Sequence, residues 1–316
     1  MSSAAPFAGH PRLAALVERA RLKAAARGLP RVGLVYPCDA LALDAARRMV
    51  ELGLAQPVLI GARAVIERVA AGCGVATRDF DIVDTPDAPD LAARRAVELV
   101  RAGALQALMK GSLHTDILMA AIVDRAGGLR GATRISHAFV FDLPRYPKLL
   151  SLADCVVNIH PLVPAKRDIL SNAIGLLHTL GIARPKVAIV AAVETVNPAI
   201  PATEDAAALV EMARQGAWPG AVVEGPFGFD NAISAEAARI KGIVSTVPGD
   251  ADLLLLPDLN SANILYKNFN YIGGGECAGL VLGATHPIVL TSRADTLAAR
   301  MASIALAVLA APATGH

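Results

Sequence analysis

Residues 287–295, PIVLTSRAD, set four polar side chains at the end of an apolar strand pattern with no spacer: Thr291, Ser292, Arg293 and Asp295. A guanidinium is a planar fork of donors that suits phosphate oxygens. Here it stands where the carboxyl end of a strand meets the start of a helix, and both features favour anions. The chemistry expected is the holding of a small anion beside a hydroxyl and a carboxylate. Asp295 has a second reading as the N-cap of the helix that follows.

Parallel α/β sheets hold ligands beyond the carboxyl ends of their strands, so other strands that stop in polar residues are the next candidates. LQALMK runs through Lys110 into Gly111, Ser112, His114 and Thr115, before a helix expected from about Ile117. Glycine lets backbone approach a ligand, and the hydroxyls and imidazole can donate to phosphate at a helix N-terminus. The plainer reading makes Thr115 or Asp116 an N-cap. RISHAFVFD carries Arg134, Ser136 and His137, and VVNIHP carries Asn158 and His160. A single histidine in such a place is more often a structural residue than a ligand. GPFGFDNAIS offers Asp230, and LPDLNSANILYK offers Asn260, Asn263 and Lys267; for these acids and amides, helix capping is the alternative.

These candidates need a scaffold. The 316 residues exceed one average core, and at roughly 150 residues per domain two domains are expected. Apolar residues make up 54% but aromatics only 4%, so the core is built from Ala, Val, Leu and Ile, the usual filling between helices and a parallel sheet. Apolar runs at 31–36, 57–61, 105–110, 135–141, 155–159, 186–193, 252–257 and 287–292 read as strands. They alternate with helical patterns such as DALALDAARRMVELG and DLAARRAVELVRAG. The α/β class follows. DLPRYPKLL, 142–150, with two prolines, is the expected crossing between domains. The stripe Leu297, Met301, Ile304, Val308 marks a last helix that docks back on the first domain. The expected division is 1–145 plus 295–316, and 146–294.

A net charge of +2 without a basic block argues against nucleic acid. Despite a mean hydropathy of +0.48, no apolar run approaches the roughly 18 residues of a membrane span. The N-terminus has no apolar core of a secretory signal, and the four cysteines match no metal or redox spacing, so a cytoplasmic protein is expected. IGGGECAGL lacks the dinucleotide spacing, and H-E-x-x-H and G-x-S-x-G do not occur.

Taken in order and spacing, MKGSLHTD, RISHAFV, VVNIHP with KRDILSNAI, VETVNPAIPATEDAA, GPFGFDNAIS, LPDL with its later YK, and VLGATHPIVLTSRAD resemble the phosphate acetyl/butyryltransferases over roughly residues 30–310. The resemblance is strongest to the phosphotransacetylase half of proteins that also carry an enoyl-CoA hydratase half; no hydratase half is evident here. It implies two α/β domains of isocitrate/isopropylmalate dehydrogenase-like scaffold, an active site in the cleft between them, and a homodimer. It implies the reversible reaction of acyl phosphate with coenzyme A to give acyl-CoA and phosphate, by direct thiol attack. Coenzyme A is then a substrate, and no metal or prosthetic group is expected in the chemical step.

A free thiol has a pKa near ~8.5, so it needs a base or a positive charge beside it. The resemblance makes Ser292, Arg293 and Asp295 the catalytic residues: Arg293 for the thiolate and departing phosphate, Ser292 for a hydrogen bond to thiol or carbonyl, and Asp295 as candidate base. Lys110, Gly111, Ser112, His114, Thr115, Arg134, Ser136, His137, Asn158, Asp230, Asn260, Asn263 and Lys267 are the implied substrate-binding residues. Four features depart from the family pattern. Ala262 replaces a frequent glycine, an acidic residue frequent near Asn260 is absent, Met119 stands where some acetyltransferases have arginine, and no acidic residue follows Asp295. Two other readings stay open. One is a metal-dependent NAD(P) oxidoreductase on the related scaffold, for which Asp230, Asp258 and Asp295 are few ligands; the other is a binding or assembly module with weak turnover.

Overall fold

The computed structural model describes residues 7–292 and 294–312. It falls into two compact units: the chain up to Ala132 together with that from Cys277 on, and Thr133–Glu276. In chain order, the first segment holds α1 (Pro11–Arg27), β1 (Arg31–Val35), α2 (Ala40–Glu51), β2 (Gln56–Gly61), α3 (Arg63–Cys73), β3 (Asp81–Asp84), α4 (Pro89–Arg101), β4 (Ala107–Lys110) and α5 (Thr115–Val123). The second unit holds β5 (Ser136–Asp142), β6 (Leu150–Ala153), α6 (Val163–Thr179), β7 (Lys186–Val190), α7 (Pro201–Arg214), β8 (Val222–Phe227), α8 (Phe229–Ile233), α9 (Ala235–Ile240), β9 (Leu253–Leu255) and α10 (Leu259–Tyr271). The closing segment adds β10 (Glu276–Leu282), β11 (Ile288–Val289) and α11 (Leu297–Ala310).

In the first unit the strand order is β3-β2-β1-β4-β11-β10, parallel from β3 to β11, with β10 antiparallel to β11. In the second it is β5-β6-β9-β7-β8, with β5 antiparallel to β6 and the rest parallel. Central strands such as Val32–Val35 and Leu253–Leu255 are buried throughout. This is why they read as unbroken apolar runs instead of alternating ones.

Three expectations need correction. Residues 155–159 form no strand: the Asp154 carboxylate accepts the N–H groups of Val156 and Val157 at 2.9 and 3.0 Å, which turns the chain and withdraws both donors from a ladder. The strand of that region is β6, just before it. Residues 143–149 do not cross between units, because they join β5 to β6, antiparallel neighbours in the second. The chain passes between units at 132–133 and returns at 276–277, where β10 and β11 enter the first unit's sheet, and not at 145 and 295. Finally, α11 is not buried along one stripe; every residue from Ala298 to Leu309 is buried, packed by α1, α2, β4 and β11. A helix apolar on all sides must be covered on all sides. Lys23 of α1 donates to the carbonyls of Val308 and Leu309, placing a cation at the helix C-terminus.

In the second unit a buried ion pair joins two helices. Lys166 of α6 meets Asp205 of α7 at 2.6 Å with side-chain exposures of 4% and 24%. Asp205→Asn removes the charge partner of a buried ammonium, and we expect a loss of about 3 kcal/mol, measured by urea unfolding.

Candidate active site

Strands β1, β4 and β11 run parallel, so their carboxyl ends lie along one edge of the first unit's sheet. Beyond that edge the backbone is sewn together. Gly111 N–H donates to the Val35 carbonyl at 2.9 Å, and Ser112 donates to the Tyr36 carbonyl through both its N–H (2.9 Å) and its hydroxyl (2.8 Å). Ser112 Oγ in turn accepts the Cys38 N–H at 2.7 Å. A Cβ at residue 111 would stand 2.5 Å from the Val35 carbonyl oxygen and 2.6 Å from that of Tyr36, so only glycine permits this approach. Thr291, just past β11, donates its hydroxyl to the Lys110 carbonyl at 3.0 Å and ties the third strand end in.

A pocket of about 200 Å³ opens at this junction. One wall is the Lys110–Thr115 segment, another is Thr291, Ser292 and Arg300, and the third is the start of α2 with Asp39. Lys110 Nζ donates to the Gly111 and Leu113 carbonyls at 3.2 Å. Helix α5 starts at Thr115, two residues before the expected start. Its N-cap is His114, whose side chain makes no capping bond, and neither Thr115 nor Asp116 is the cap. The first-turn N–H groups, carrying the positive end of the helix dipole, therefore meet no capping side chain. Helix α2 differs, since Asp39 accepts the Ala42 N–H.

The cap of α11 is Thr296 and not Asp295. The Asp295 carboxylate instead accepts the Ser292 N–H at 2.7 Å. Arg300, in the first turn of α11, donates to the carbonyls of Ser292 (2.7 Å) and Asp295 (3.3 Å). Ser292 is exposed. Arg293, the guanidinium at the centre of the sequence argument, lies outside the described residues. Lys110, Gly111, Ser112, His114, Thr115 and Ser292 thus surround one pocket, with Asp295 bonded to its rim.

Sequence reasoning missed three residues here: Tyr36, Asp39 and Arg300. Tyr36 has φ 53°, a left-handed conformation rare for a tyrosine. Its phenol donates to Asp87, and that bond together with burial pushes its pKa up to about 12. YPCDA, a strand end followed by a capping aspartate, was the available signal.

The residues expected from the second unit serve varied ends. Ser136 and His137 are each 1% exposed. Ser136 Oγ accepts from Asn172 at 2.8 Å, and the His137 ring packs on Phe139 at 4.5 Å. Asn158, also buried, spends its amide on the Ile135 carbonyl and the Asp154 carboxylate, at 3.0 and 2.6 Å. Arg134 is exposed, its backbone N–H donating to Asp168. Asp230 is exposed and pairs with Lys241 at 3.4 Å. Asn260 and Lys267 are exposed, while Asn263 donates to the Cys155 carbonyl at 3.2 Å. None of these asparagines caps α10, because Asp258 and Ser261 form its capping box.

Burial holds the His137 pKa at about 3, against 6.5 for the ordinary side chain. Below pH 6.5 the unfolded chain therefore takes up a proton that the folded one refuses, and stability falls as pH drops towards 3. His137→Leu should remove this dependence. Urea midpoints from pH 7 to about 4.5 should show the parent losing up to about 1.4 kcal/mol per pH unit relative to the variant.

A family model described as "Phosphate acetyl/butaryl transferase" matches residues 90–308. The phosphate acetyltransferase of Rhizobium meliloti is 50% identical over 291 residues, covering 92% of this chain and 92% of its own. The phosphate butyryltransferase of Clostridium acetobutylicum is 37% identical over 290 residues, 92% of this chain and 96% of its own. Among solved structures, a branched-chain phosphotransacylase from Enterococcus faecalis superimposes with a TM-score of 0.79 at 26% identity, covering 89% of this chain and 98% of that one. With the family model matched over most of its length and relatives aligned nearly end to end, this chain belongs to the phosphate acetyl/butyryltransferase family.

Proposed function

We propose that this chain transfers a short acyl group between acyl phosphate and coenzyme A, the thiol attacking the acyl carbonyl directly. Its family membership supports the acyltransferase class over the oxidoreductase reading. The observation that carries the site is the pocket at the ends of β1, β4 and β11. There the cations of Lys110 and Arg300 and the uncapped start of α5 face one small volume. That is a place for a phosphoryl group: charge gathers on phosphate as it departs, and preset donors stabilise that charge without reorganisation.

In this reading Gly111, Ser112, His114 and Thr115 surround the phosphoryl oxygens, and Ser292, exposed at the rim, donates to the thiol or the carbonyl. Arg293 supplies the positive charge that favours thiolate and departing phosphate. Asp295, which accepts the Ser292 N–H, is the candidate base; the alternative is thiol activation by positive charge alone. Arg134, Asn260, Asn263, Lys267 and Asp230 are proposed for the remainder of the substrates, Asn158 acting by holding the turn at Asp154. A cytoplasmic setting is proposed as well, one in which Cys38, Cys73, Cys155 and Cys277 would stay reduced. No described helix is long and apolar enough to cross a membrane.

We also propose a homodimer. Exposed Ile264, Tyr271 and Ile272 on and just after α10, with Ile159 and Leu162 on the loop bonded to its start, give the second unit apolar surface to cover. Light scattering should return twice 32.6 kDa; a monomer mass at micromolar concentration rejects the dimer. For the reaction, thiol consumption is to be followed with coenzyme A and acetyl, propionyl or butyryl phosphate. Turnover is expected, and Arg293→Ala should lower it at least about a hundredfold with unchanged thermal unfolding. Unaltered kinetics in that variant remove Arg293 from the mechanism.

A further inference from the structure

Arg300 is placed against every local preference for a cation. It stands in the first turn of α11, where the helix dipole disfavours positive charge, and that turn has no acidic residue. Its exposure is 6%, yet among the described residues no carboxylate pairs with it. A buried charge is costly unless an opposite charge or a full set of hydrogen bonds compensates it. Arg300 has only part of that compensation: Nη2 and Nε donate to the Ser292 and Asp295 carbonyls, and Nη1 has no partner among the described residues. The side chain lines the same pocket as Lys110 and the uncapped start of α5.

We propose that Arg300 is a phosphate-binding residue of this enzyme. Nη2 and Nε clamp the Ser292–Asp295 turn, and the Nη1 edge donates to an oxygen of the phosphoryl group, of acyl phosphate in one direction and of inorganic phosphate in the other. The missing counter-charge is then the substrate itself. A guanidinium suits this double duty because its donors point along several edges of one plane, whereas an ammonium offers a point charge without a fixed fork. The inference rests on reading this pocket as the phosphate site, but its test does not depend on turnover.

Arg300→Lys and Arg300→Gln are compared with the parent in two assays. In steady-state kinetics, Arg300→Gln should raise KM for acyl phosphate and for inorganic phosphate at least about tenfold, with KM for coenzyme A within about twofold. In calorimetric titration with inorganic phosphate, the parent should bind and Arg300→Lys should bind at least about tenfold more weakly, with thermal unfolding reporting that each variant is folded. If Arg300→Gln does not fold, the titration of the lysine variant decides alone. Equal phosphate affinity in parent and Arg300→Lys, or unchanged KM for both phosphate substrates with only kcat reduced, overturns the proposal and leaves Arg300 a clamp of the turn. A parent that binds phosphate through Arg300 but turns over no acyl phosphate with coenzyme A refutes the assigned reaction and keeps the residue's role.

Discussion

The candidate site depends on a backbone seam between two strand ends. Gly111 and Ser112 donate to the carbonyls of Val35 and Tyr36, and the Ser112 hydroxyl carries the seam on to Cys38. Because Gly111 and Ser112 donate through backbone N–H groups to backbone carbonyls, the distance between the loops after β1 and β4 is set by direct main-chain hydrogen bonds. The left-handed Tyr36 turns its carbonyl to serve as acceptor, and the bond of its phenol to Asp87 helps offset that strain. Thr291 adds the end of β11 to the seam. A pocket for a small anion needs such a frame, since a displacement of about 1 Å costs much of the gain from preset donors.

Around that frame the polar groups divide by what satisfies them. Ser136, Asn158 and Asp154 find partners inside the second unit, and there they hold a turn and a strand start in place. The Asp154 pKa is raised by burial, partly countered by the N–H groups of Val156 and Val157 and by Asn158. Arg300 is different, because among the described residues this buried cation is bonded only to carbonyls and stays short of a negative charge. This contrast between closed and open polar accounts separates architecture from function more sharply than residue type does.

Much of the fold was legible from the chain because its signals are local. Unbroken apolar runs marked the central strands and three-to-four spacing marked the helices, as at Ala40–Glu51 and Pro89–Arg101. The errors share a cause. CVVNI has strand-like side chains, but the Asp154 carboxylate takes the N–H groups that a ladder would need. Asn260 and Asn263 looked like caps, but the capping box belongs to Asp258 and Ser261. In each case one side-chain hydrogen bond outweighed a propensity worth a few tenths of a kcal/mol per residue.

For the site, the residue types and their order along the chain determined that anion-binding groups end several strands, and their dense pattern carried the family. The tertiary structure decided which of them share a pocket: Lys110 to Thr115 with Ser292, joined by Arg300 and Asp39. It also decided that Ser136 and His137 are interior. The reason is physical. Local pattern encodes secondary structure and capping through neighbours a few residues apart, whereas burial and charge compensation depend on contacts between segments far apart in the chain, as between Tyr36 and Ser112 or Lys110 and Thr291.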